Sequence, residues 1–78
     1  MKNEIIKAAK DIEHGKIDLN TARNLLFGFF DVSVSDLSNF EFQRLFEWLQ
    51  EPKREPAQTK FTSGMTRNIA REIEYLLK

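Results

Sequence analysis

An all-α fold is the class this sequence predicts, and three observations predict it. Apolar residues recur at helical spacing in four separate stretches. Capping residues stand at the starts of most of those stretches. One short run alternates as a strand would, but it has no second run to pair with. The strongest stretch is 37–49, LSNFEFQRLFEWL, which carries three of the seven Phe and the only Trp. In it Phe42, Leu45, Phe46 and Leu49 fall at i, i+3, i+4 and i+7 and so share one face. Ser38 and Glu41 have capping-box spacing, with Leu37 and Phe42 placed as a hydrophobic staple. This helix, over 38–50, is expected at the centre of a small four-helix domain.

The other three helices are expected near 3–14, 19–30 and 63–77. In the first, Asn3 is positioned to cap, Ile5, Ala8, Ala9 and Ile12 form the apolar stripe, and Gly15 suits a left-handed end. The second starts from Asp18 or Asn20, with Ile17 able to staple onto Ala22. Its buried side is expected to hold Leu19, Ala22, Leu26, Phe29 and Phe30, with Leu25 adjoining. Gly28 there implies either the close approach of another element or an early helix end. The last helix starts from Thr62 or Ser63 and presents Met65, Ile69, Ile73, Leu76 and Leu77 to the core. Glu74 and Lys78 are spaced for an i, i+4 pair on its polar face.

Two connections differ in kind. Residues 31–37, DVSVSDL, alternate Val32 and Val34 with serines, and they are expected to form a tight connector containing a helical turn. Residues 51–62 hold both prolines and lack a helical period. Each proline biases the residue before it toward extended backbone, so this stretch is expected as a long, extended loop with freedom to move.

Composition sets limits on function. Seventy-eight residues make a single domain, 1–78, near the lower size at which a core stabilises itself without crosslinks. Without Cys there is neither a disulfide framework nor a thiolate metal site. The N-terminal stretch has acids and a broken apolar pattern, unlike a signal peptide, and no apolar run approaches membrane-spanning length. A cytoplasmic protein without membrane contact is the expectation. Net charge is zero, with residues 1–50 carrying six bases against eight acids and residues 51–78 six against four. Neither half has the basic excess of a dedicated nucleic-acid binder.

Chemistry-bearing constellations are missing. The single His14 precedes Gly15, where an imidazolium would complement a helix C-terminus, and no second His or Cys completes a zinc site. The glycines are isolated, so no phosphate loop exists. Glu72 and Glu74, two apart on a helix, diverge. No catalytic residue, cofactor or metal is expected, and the protein is read as not an enzyme.

What the sequence has in excess is apolar surface. Phe40 and Trp48 lie off the main stripe of the central helix, and Phe27 is displaced on the second. Such residues are favoured as interface anchors. The expected function is a small interaction or regulatory module that binds a protein partner, or a second copy of itself, through Phe27, Phe40 and Trp48. The alternative is a helix-turn-helix-like DNA-binding regulator. In it Asn39, Gln43 and Arg44 would address bases, while Lys53, Arg54, Lys60, Arg67 and Arg71 would contact phosphates.

The opening MKNEIIKAAKDI together with IDLNTARNLLFGFFDVS resembles the N-terminal part of small uncharacterised proteins carried by bacteriophages and other mobile elements. The resemblance covers about the first 33 residues. It carries no activity and no site residue with it, and implies at most an accessory role exerted through binding.

Overall fold

The computed structural model describes residues 2–62 and 64–78. Five helices follow one another: α1 (Lys2–Glu13), α2 (Leu19–Phe30), α3 (Asn39–Gln50), α4 (Ala57–Lys60) and α5 (Gly64–Leu76). No strand occurs among the described residues, and the fold is all-α. Helix α3 packs against α1, α2 and α5, but α1 packs against the other three long helices just as fully, so the central place expected for α3 is shared with α1.

Each helix end has a local cause. Helix α1 already runs through Asn3, so Asn3 lies within the first turn and is not the cap. Its buried residues are the expected Ile5, Ala8, Ala9 and Ile12. At its far end Gly15 adopts φ +69°. The Gly15 amide donates to the Ile12 carbonyl at 3.0 Å and the Lys16 amide to the Asp11 carbonyl at 2.7 Å. That is a Schellman closure, which satisfies carbonyls the helix leaves unpaired. Asp18 caps α2, accepting from the Thr21 amide at 3.2 Å. The same closure recurs after α2, where Asp31 takes the left-handed conformation at φ 53°. There the amides of Asp31 and Val32 donate to the carbonyls of Gly28 and Phe27.

Gly28 itself overturns an expectation. A Cβ built there meets nothing within 4 Å, so no close approach explains it, and α2 runs on to Phe30, so it marks no early end. The buried side of α2 is also narrower than its sequence implies. Ala22 and Leu26 are buried, Leu19, Phe29 and Phe30 are half-buried, and Leu25 is 38% exposed.

Residues 31–37 form the expected turn. The Ser33 carbonyl accepts from the amides of Asp36 and Leu37 at 2.9 and 3.0 Å, and the Asp36 carboxylate accepts from the Ser33 amide at 3.1 Å. Helix α3 then starts as predicted. The Glu41 amide donates to Ser38 Oγ at 3.2 Å, Ser38 Oγ contacts Glu41 Oε1 at 3.5 Å, and Leu37 and Phe42 are both buried.

The segment before α5 departs most from expectation. Residues 57–60 make one helical turn, with the Thr59 and Lys60 amides donating to the Pro56 carbonyl at 3.0 Å. Ala57 is buried, and its amide donates to Glu74 of α5 at 3.2 Å. The stretch is pinned, where free movement was expected. Glu74, expected to pair with Lys78, is thereby drawn to α4. In α5 the buried face is Thr66, Ile69, Ala70 and Ile73, while Met65 lies outside the core. Thr66 replaces Met65 inside because its hydroxyl donates to Glu41 Oε2 of α3 at 2.9 Å. That bond offsets the desolvation of a buried hydroxyl. Ser63, one of the two expected caps of this helix, lies outside the described residues.

Candidate partner-docking surface

The three aromatics singled out by sequence have three different fates. Phe40, in the first turn of α3, is 69% exposed. It borders a cleft of about 310 Å³ between the N-terminal ends of α2 and α3, lined also by Leu19, Asn20, Arg23, Asn39, Phe42 and Gln43. Within this cleft the Arg23 guanidinium donates to Asn39 Oδ1 at 2.7 Å. Phe27 is half-buried and packs edge-on against Phe42, ring centroids 5.7 Å apart, so it belongs more to the core than to a surface.

Trp48 is fully buried at 0% exposure, so it cannot be a surface anchor, and that expectation is corrected. Its indole meets Phe61 edge-on at 5.4 Å and donates from Nε1 to the Glu55 carbonyl at 2.8 Å. The Arg54 guanidinium lies over its ring at 5.6 Å. The Pro-containing segment covers this side of α3, so the helix is enclosed on two sides.

Arg54 sits where helix ends gather. It donates to Glu13 Oε2 at 2.7 Å, on the last residue of α1, and to the Leu49 carbonyl in the last turn of α3 at 3.1 Å. Gln50 Nε2 reaches the Ile12 carbonyl nearby at 3.3 Å. Helix C-termini carry negative partial charge, and a guanidinium between two of them is well placed. The Arg54 hydrogen bond holds the Glu13 carboxyl below its ordinary value. Lys7, at 2.9 Å, does the same for Asp11, and the hydrogen bonds from Thr21 do so for Asp18.

The residues considered for nucleic acid are dispersed and largely engaged. Asn39 accepts from Arg23, and Gln43 donates to Glu47 at 3.3 Å. Arg44 lies over the Phe61 ring at 5.8 Å, Arg54 bonds Glu13, and Lys60 faces Glu51 at 3.7 Å. Lys53 is exposed on the segment before α4. Arg67 is partly buried, with its Nε shielded and unpaired. Arg71 borders a shallow surface with Asn68, Glu72 and Tyr75. The structure does not gather these bases into one face.

Sequence reasoning missed the exposure of Leu25, Val34, Met65 and Tyr75. Tyr75 is 70% exposed on α5, and Met65 lines a second cleft with Phe30, Val32, Asn68, Ile69 and Glu72. The spacing of 65, 68, 72 and 75 along one side of α5 was the available signal. No group of His, Cys, Asp or Glu able to hold a metal ion occurs among the described residues, and no described helix is long and apolar enough to cross a membrane. Comparison with protein-family models, curated proteins and solved structures gives no match for this chain.

Proposed function

We propose that the protein is a non-enzymatic interaction module that docks a protein partner through Phe40 and the cleft beside it. One observation carries the reading: a phenyl ring 69% exposed at the rim of a cleft lined by Leu19 and Phe42 together with Asn20, Arg23, Asn39 and Gln43, in a chain whose other phenylalanines are buried wholly or in part. An aromatic anchor beside satisfied polar groups is the composition that binding hot spots favour. The accessory role suggested by the resemblance to mobile-element proteins fits such a module. A cytoplasmic setting is part of the same proposal.

The test separates binding from folding. Peptides selected from a displayed library on the purified protein are expected to lose binding to a Phe40→Ser variant whose melting temperature is unchanged. Analytical ultracentrifugation of the wild type over a wide concentration range decides whether a second copy occupies the cleft instead. A monomer that yields no Phe40-dependent peptide would sink the reading. For the nucleic-acid alternative, a mobility shift at low salt is the check, since phosphate contacts are strongest there.

A further inference from the structure

The segment 52–56 covers the indole of Trp48, yet it is held to the rest of the molecule by very little. Pro52, Lys53, Glu55 and Pro56 are exposed, and only Arg54 is half-buried. The two prolines at its ends have no amide hydrogen to donate. At its far end the Pro56 carbonyl accepts from Thr59 and Lys60 and anchors the hinge to α4, and between the prolines two of the described residues attach it to the helices beneath. One is Glu55, whose carbonyl accepts from Trp48 Nε1 at 2.8 Å. The other is Arg54, bonded to Glu13 and to the Leu49 carbonyl and lying over the indole. The Trp beneath is fully buried, while four of the five residues above it are exposed. Local opening free energy falls where few apolar contacts and few backbone hydrogen bonds hold a segment.

We propose that residues 52–56 are a strap that lifts as a unit about its two proline ends while the helices stay folded, and so uncovers the Trp48 indole. Arg54 is the latch. Phe61, beyond α4, stays edge-on to the indole when the strap lifts. The device is independent of the Phe40 cleft and stands whether or not that cleft binds a partner.

Hydrogen exchange followed by NMR on the full chain tests this. The Trp48 indole N–H reports the strap, and the backbone amides of Leu45, Leu49 and Ile73 report the helical body. The indole is expected to exchange at least about 100-fold faster than those amides, after correction for intrinsic rates, and to be insensitive to low urea. The body amides are expected to accelerate with urea, as global opening exposes more surface. An Ile73→Val change is expected to speed the body amides and leave the indole rate unchanged. Arg54→Ala is expected to raise the indole rate roughly 10-fold or more. Should Arg54→Ala fail to fold, Glu13→Gln removes one latch bond and is expected to raise the same rate by less. An indole N–H that exchanges with the body amides and tracks them through the urea series overturns the proposal.

Discussion

The two ends of α3 carry aromatic side chains of similar bulk, eight positions apart, with opposite outcomes. Phe40 stands in solvent at the helix start, and Trp48 is sealed at the helix end. Helical geometry produces part of this difference, since Trp48 flanks the stripe of Phe42, Leu45 and Leu49 while Phe40 lies on the opposite side. A second layer completes it. The start of α3 meets α2 across an open cleft, whereas its end is roofed by 52–56 and by Phe61. Burial of an aromatic at the edge of the stripe in so small a domain is therefore completed by the connection that passes over it.

The sharpest way to break the comparison is at its buried end. Trp48→Ala is expected to lower stability by about 3–5 kcal/mol in urea titration, because it removes a fully enclosed side chain. A cost below about 1 kcal/mol, the level of ordinary surface changes, would mean that the roof is not tightly packed. Arg54→Ala comes next, at about 1.5–3 kcal/mol by the same titration, for loss of hydrogen bonds that involve a charged group. Its conservative partner Arg54→Lys is expected to recover only part of this, since an ammonium does not reproduce the planar guanidinium fork.

Acid probes the same end more gently. The folded-state pKa of Glu13 lies below its ordinary 4.5, chiefly through the Arg54 hydrogen bond. The unfolded chain therefore binds the proton more readily, and stability rises with pH across that window. Melting temperature is expected to be level above about pH 5 and to fall below about pH 4.5. Part of that fall should vanish in Glu13→Gln. An unchanged acid limb in that variant would assign the effect to Asp11 and Asp18, whose carboxyls are also held low.

At the open end the effects shrink. Gly28→Ala is expected to stabilise by about 0.4–1 kcal/mol in thermal melts, because the site is helical and has room for a methyl group. Phe40→Ser is expected to stay within about 0.5 kcal/mol of wild type, as an exposed side chain makes few native contacts. A large loss there would show that Phe40 packs against the cleft and is not free to meet a partner.

How much was legible in the chain follows the range of the contacts. The start of α3 was readable in detail, because Ser38, Glu41, Leu37 and Phe42 interact within five positions. The end of α1 at Gly15 was readable for the same reason. The role of Arg54 was not. It looked like one base among several, and its carboxylate partner Glu13 lies 41 positions away. The fate of Trp48 turned on a segment with no period to read, and that of Met65 on a hydroxyl bond between α5 and α3. Of the proposed surface, the sequence singled out Phe40 by its place off the stripe, while its exposure and its cleft with Leu19 and Arg23 required the α2–α3 crossing.

The enclosure of Trp48 has a practical consequence. It is the chain's lone indole, and it is held edge-on by one ring and under one guanidinium, while Tyr75, the lone phenol, points into solvent. The near-ultraviolet circular dichroism of this protein above the tyrosine band thus comes from a single chromophore. Any asymmetry it shows there is a signature of how residues 54–61 grip that ring, and not of the helices at large.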